Sequence, residues 1–261
     1  MKNSIITLLT IIMLFGVSQI QAQDFKEVEK TFQLDKNGKV RVDTYKGEIV
    51  IETWDKDEVH VYAKIEPDGD GGFFSTKPKR QIESVRVEFD ASPGSVEIES
   101  VYRNNDSWFG SNTRALVNYK IKMPKSARLE IKDYKSQTDI SGLQATIKLY
   151  TYKGEVRVVN LNGSIDLETY KGEVDVRFSN ITGNSRFDTY KGEIKITLPE
   201  NAGFSINGEF GKRTDFYSSF DIKEDSQRKN RKDYSVKGEI NGGGPRIELS
   251  SKKGRFELIK K

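Results

Sequence analysis

Four corners of this 261-residue chain are spelled almost alike: Thr44–Ile49 and Thr189–Ile194 read TYKGEI, and Thr151–Val156 and Thr169–Val174 read TYKGEV. A chain that writes the same turn at regular intervals builds from a repeated unit, because each unit buries its apolar face only against its neighbours. Aligned on tyrosine, the units centre on Tyr134, Tyr152, Tyr170 and Tyr190, spaced 18, 18 and 20 residues apart. Each tyrosine is followed by an alternating triplet (TDI, VRV, VDV, IKI) and preceded by another (LEI, IKL, IDL, SRF). A small residue, Ala127, Ala145, Gly163 or Gly183, lies seven positions before each tyrosine. Period-two alternation rich in Val and Ile, punctuated by glycine, predicts two short strands per unit with one buried face. Two extra residues near Phe178 to Asn180 predict a bulge or wider turn in the third unit.

Two arrangements satisfy this pattern. Each unit folds as an antiparallel hairpin across the YKG corner, or the chain coils so that equivalent strands stack in parallel. The outward charges discriminate between them. One column runs Glu130, Lys148, Asp166, Arg186 and the other Asp139, Arg157, Asp175, Lys195. Both alternate in sign, so parallel stacking sets opposite charges side by side, worth about 0.2–1 kcal/mol per pair. The symmetric hairpin would set like charges opposite each other. The expected fold is therefore all-β, a parallel β-solenoid with two short strands per rung of about 18 residues; a two-sheet antiparallel β-sandwich is the alternative. Gly47, Gly154, Gly172 and Gly192 are expected to supply backbone angles closed to other residues, and the tyrosines to form an aromatic ladder.

The repeat grammar returns at both ends of the chain, in Gly38–Ile65 and Val236–Lys261. Residues 1–22 read differently, as a signal peptide with Lys2 before an apolar run from Ile5 to Val17 and Ala22 before the cut. Residues 23–30 are expected to be a linker. Residues 31–261 form one domain, with loops at 67–80, 102–114 and 221–233. The mature chain has no other apolar stretch long enough to span a bilayer, so an exported protein is expected, in the periplasm, on the outer surface or secreted. The chain has no cysteine, which excludes a disulfide framework and a thiolate nucleophile. Its 43 basic and 39 acidic residues are interspersed, which argues against a nucleic-acid binder.

Little of the chain points to catalysis. The only histidine, His60, has no second histidine with which to form a metal site. Asp139, Asp166, Asp175 and Asp188 are candidates for a glycosidase carboxylate pair, but the first three sit beside basic residues that already account for them. The DGDGG run at Asp68–Gly72 lacks the downstream acid of a calcium loop. No catalytic, cofactor or metal residue is assigned. Two features remain as candidate contact sites. Tyr134, Lys135, Tyr152, Lys153, Tyr170, Lys171, Tyr190 and Lys191 would form a stripe in which aromatics stack sugar rings and lysines meet acid groups. The bland alternative is a solvated corner in which each lysine pairs with the nearby Glu155, Glu173 or Glu193. Trp108 and Phe109, in a polar loop, are either a contact site or a cap over a solenoid end.

Several segments in order, TWDKDEVHVYAKI, VNYKIKMPKSARLEI, the glycine-punctuated units, LPENAGFSIN and INGGGPRIELSSKKGRFELIKK, resemble the bacterial adhesin-like domain family DUF4097 from about residue 31 to the end. The resemblance implies a β-solenoid-like domain of exported or cell-envelope proteins and brings no catalytic residues. The expected function is non-catalytic: a module binding an anionic envelope polysaccharide or another envelope protein. The competing readings are a structural scaffold of the envelope-stress type and, behind it, a carbohydrate-active enzyme.

Overall fold

The computed structural model describes residues 25–69, 78–103, 114–222 and 233–261. Residues 1–22, expected as a signal peptide, and Trp108, Phe109 and Asp70–Gly72 lie outside these residues. The strands are β1 (Lys26–Gln33), β2 (Lys39–Asp43), β3 (Lys46–Trp54), β4 (Glu58–Glu66), β5 (Val85–Ser92), β6 (Ser95–Tyr102) and β7 (Leu116–Pro124). They continue as β8 (Arg128–Asp133), β9 (Lys135–Ser141), β10 (Thr146–Ile181), β11 (Ser185–Leu198), β12 (Phe204–Ser218), β13 (Tyr234–Ile240) and β14 (Arg246–Lys260). Among the described residues one short helix, α1 (Pro78–Glu83), begins at the end of the loop expected at 67–80 and runs past it. Residues 26–30, expected as a linker, are the first half of β1, which pairs antiparallel with β4 along its whole length.

The 14 strands of the described residues join in one sheet system. Across the repeats the pairing is parallel: β8 and β9 pair with β10, and β10 with β11. The predicted charge columns form. Lys148 lies beside Glu130, Arg186 beside Asp166, Arg157 beside Asp139 and Lys195 beside Asp175. The first column extends beyond the repeats through Glu97, Arg41 and Glu130 at one end and Arg186 and Glu248 at the other, with its signs still alternating. Antiparallel pairs close both ends of this parallel centre, β1–β4–β7 and β5–β6 at one and β12–β13 at the other. The stack is therefore mixed rather than parallel throughout, since hairpins shield terminal layers whose edges would otherwise stay unpaired.

Chain order and stacking order differ at two places. The early strands β2 and β3 insert between β6 and β8 and between β7 and β9. The last strand, β14, inserts between β11 and β12. The last strand is thereby held between neighbours on both sides, whereas among the described residues β1 pairs only with β4, at the edge of the sheet.

The core follows from the alternation. Leu129 lies beside Ile147, Ile131 beside Leu149, and Leu167, Phe187 and Leu249 continue side by side, all with little or no exposure. Burying each of these side chains is worth about 1.5–3 kcal/mol. Alternation is suspended at the corners. Thr151 points in, Tyr152, Lys153 and Glu155 stay exposed, and Val156 points in again. That phase slip lets both strands of a unit face one core.

At three of the four corners glycine is required for a different reason from the one the sequence predicts. Gly47 does take a positive φ, but Gly154, Gly172 and Gly192 do not. Space is the constraint. A Cβ on Gly172 would lie 2.0 Å from the carbonyl oxygen of Gly154, and one on Gly192 would lie 2.6 Å from that of Gly172. Any side chain there pushes two layers apart. Gly172→Ala is expected to destabilise the protein by about 2 kcal/mol or more, read as a lower urea midpoint. Gly94→Ala, where nothing lies within 4 Å of the added carbon, should leave the midpoint unchanged.

Candidate functional site

Because the corners stack in register, each residue type in YKGE becomes a column along one side of the molecule. Tyr45, Tyr134, Tyr152, Tyr170 and Tyr190 form a continuous ladder with ring centroids 4.8–5.0 Å apart and interplanar angles of 1–6°. The spacing is that of neighbouring strands, about 4.8 Å. At one end Tyr102 meets Tyr45 edge-on at 5.8 Å, and the Arg114 guanidinium lies 4.1 Å from the Tyr45 ring centre. At the other, Lys253 Nζ lies 5.4 Å from the centre of Tyr190.

This geometry corrects the sugar-stacking role expected of the tyrosines. Tyr134, Tyr152, Tyr170 and Tyr190 are about two-fifths exposed, but each interior ring has a neighbour on both faces. No sugar ring fits between rings already in contact. The ladder therefore offers solvent ring edges and phenolic hydroxyls, not faces.

The lysines form a longer column than the tyrosine alignment indicates. Strand register runs it from Lys46 and Lys135 through Lys153, Lys171 and Lys191 to Lys253 and Arg213. Lys46 is neutralised by an ion pair with Asp68, the first aspartate of the calcium-like run. The pairing of lysine with glutamate across the corner does not form. Among the described residues, Lys135, Lys153, Lys171, Lys191 and Lys253 make no ion pair, nor do Glu155, Glu173 and Glu193. Between the two charged columns runs a floor of backbone formed by Ser136, Gly154, Gly172, Gly192 and Gly254, in a groove of about 560 Å³. Sequence reasoning missed Lys253 because its unit, SSKKGRF, carries lysine where the tyrosine should stand; the shared KG pair was the available signal.

The other candidates resolve into ordinary contacts. Asp166 and Asp188 both face Arg186, at 3.6 and 2.6 Å. Asp175 pairs with Arg177 on its own strand at 2.6 Å, in place of the neighbouring-rung lysine. Asp139 accepts from Gln137 Nε2 at 3.4 Å. His60 bonds to Glu29 at 2.8 Å. Among the described residues no cluster of three metal-binding side chains occurs, and no helix is long and apolar enough to cross a membrane.

The sequence profile of the Toastrack DUF4097 family matches residues 12–258. The chain belongs to this family. No curated protein matches the Toastrack chain. Among solved structures it is similar to a candidate cell adhesion protein from Clostridium sporogenes ATCC 15579, at 10% identity and TM-score 0.50, over 91% of this chain and 100% of that one. It also matches a candidate adhesin from Bacteroides fragilis NCTC 9343, at 11% identity and TM-score 0.32, over 90% and 97% of the two chains. A third match, a candidate lipid binding protein from Parabacteroides distasonis ATCC 8503, has 11% identity and TM-score 0.26, over 88% and 96%. The first likeness is one of fold; the other two are weaker.

One corner of this Toastrack domain departs from the rest. Beneath the tyrosines runs a column of Thr151, Thr169, Thr189 and Ser251, and in the neighbouring layer Asp133 takes the same position. Its Oδ1 accepts from Thr151 Oγ1 at 2.9 Å and from the Ser136 amide at 3.0 Å, while Oδ2 is buried without a hydrogen bond. Burial outweighs the two hydrogen bonds and pushes the carboxyl from its ordinary 3.8 up to about 7. Between those values the unfolded chain releases a proton that the folded chain keeps, so this group's contribution to stability falls as pH rises and levels off above about 7. Asp133→Thr is expected to gain melting temperature relative to the parent between pH 5 and pH 8, whatever its offset at pH 5. A gap that stays constant across that range would refute the assignment.

Proposed function

We propose that this Toastrack chain is an exported, non-catalytic cell-envelope module, a β-solenoid whose corner stripe binds a repeating anionic polymer. The observation that carries the reading is the column Lys135, Lys153, Lys171 and Lys191, four exposed ammonium groups without an ion pair among the described residues. Like charges held one strand apart repel, and a fold that keeps them there gains from a partner that neutralises them. An anionic polysaccharide fits, because its acid groups recur along a line. Tyr134, Tyr152, Tyr170 and Tyr190 contribute phenolic hydroxyls beside the lysines, a second row of donors to the same acid groups. The candidate glycosidase aspartates are held by arginines or by Gln137, which favours binding over turnover.

The test uses residues 23–261 with acidic and neutral envelope polysaccharides at two salt concentrations. The parent is expected to bind the acidic polymers, more weakly at high salt because screening shortens the reach of exposed charges. Changing Lys153, Lys171 and Lys191 together to Ala is expected to weaken binding about ten-fold or more, roughly 1.4 kcal/mol. Unchanged affinity in that variant, with unchanged folding, would favour the scaffold reading, in which the repeated corner is architecture alone.

A further inference from the structure

The stripe is not uniform along its length. In the layers of β10 and β11 each corner carries one lysine and one glutamate, as in Lys171 with Glu173 and Lys191 with Glu193, and is neutral in sum. At the end nearer the chain's start, Asp68 cancels Lys46. The layer formed by β14 keeps the lysine and the glycine but differs in the tyrosine and glutamate columns. The register Thr189–Ser251, Lys191–Lys253, Glu193–Arg255 puts Lys252 in the tyrosine column, Lys253 in the lysine column and Arg255 in the glutamate column. The next layer, β12, sets Arg213 beside Lys253 and Asp215 beside Arg255. Arg255 has a carboxylate neighbour, Glu257 at 3.6 Å, but Lys252, Lys253 and Arg213 make no ion pair among the described residues. Three corners of balanced charge thus lead to a positive pole that exists only because the last strand is inserted next to β11.

We propose that this pole is the anchoring subsite of the stripe, and that its ligand is a polyuronate-type glycan carrying a carboxylate on every sugar. The inference rests on the polymer-binding reading above and adds where the polymer is held and how its charges are spaced. Three observations define the ligand. The closed ring faces exclude recognition by sugar stacking, so charge and hydroxyl hydrogen bonds carry the affinity. The cations recur at about one strand spacing, roughly the advance of one sugar residue along an extended chain, so an acid on each residue meets a cation on each layer. Arg213 presents a planar fork suited to a carboxylate. The polymer then lies from the pole down the lysine and phenol rows, on the side away from Glu155, Glu173 and Glu193.

The test compares polygalacturonate, its fully methyl-esterified form and inorganic polyphosphate, titrated into residues 23–261 over a range of salt. Two variants are compared with the parent: Arg213→Gln/Lys252→Gln/Lys253→Gln at the pole and Lys153→Gln/Lys171→Gln/Lys191→Gln in the middle. Circular dichroism melts check that both stay folded. The expected result is binding of polygalacturonate, loss of binding to the ester, and a pole variant weakened ten-fold or more with a shallower salt dependence. If the middle variant loses affinity and the pole variant does not, the anchoring inference falls while the stripe remains the binding site. If polyphosphate binds and polygalacturonate does not, the glycan assignment falls. If the parent binds none of the three, the polymer-binding reading falls with it.

Discussion

Everything in this molecule depends on the close approach of one corner backbone to the next. The carbonyl oxygen of Gly154 sits where a side chain on Gly172 would begin, and the same holds from Gly172 to Gly192 and from Gly192 to Gly254. That contact lets the strands on both sides of a corner pair without interruption. It fixes the layer spacing, and the spacing fixes all that follows. Tyrosines stack because they are one strand apart, and lysines crowd for the same reason. Hydrophobic side chains such as Leu167 and Phe187 pack in columns for which no further tertiary arrangement is needed.

Stacking of like on like has opposite consequences for different residue types. For apolar and aromatic side chains it is favourable, and ring pairs of this kind add about 0.5–1.5 kcal/mol beyond their buried area. For charges it is unfavourable unless the sign alternates from layer to layer, as along Glu130, Lys148, Asp166 and Arg186. The lysine column is the exception, since it neither alternates nor pairs across the corner. A solved charge problem on one face beside an unsolved one at the corner is the physical contrast on which the functional reading stands. Asp133 is a second local conflict, a carboxylate in a column of hydroxyls, kept there by its bonds to Thr151 and Ser136.

Part of the site was legible because the repeat is short and its offsets constant: Tyr134 to Lys191 follow from counting residues. Tyr45 and Lys46 share the same hexapeptide, yet 88 residues separate Tyr45 from Tyr134. Only the insertion of β2 and β3 among later strands makes them neighbours in the ladder. Lys252, Lys253 and Arg213 were harder to see. Their unit lacks the tyrosine that anchors the alignment, and β12 and β14 lie in the stack in reverse of their order in the chain.

By itself the sequence determined the local grammar: strands of alternating polarity, a corner at each YKG, and a preference for parallel stacking from charge columns that alternate in sign. These are properties of neighbours a fixed number of residues apart, and spacing along the chain is enough to settle them. Tertiary structure alone decided which segments sit beside which at the two ends, that ring faces are closed, that lysine and glutamate do not pair across the corner, and that Gly154, Gly172 and Gly192 are needed for space and not for φ. Each of these depends on distances between backbones or side chains of different layers, which a linear spacing does not contain.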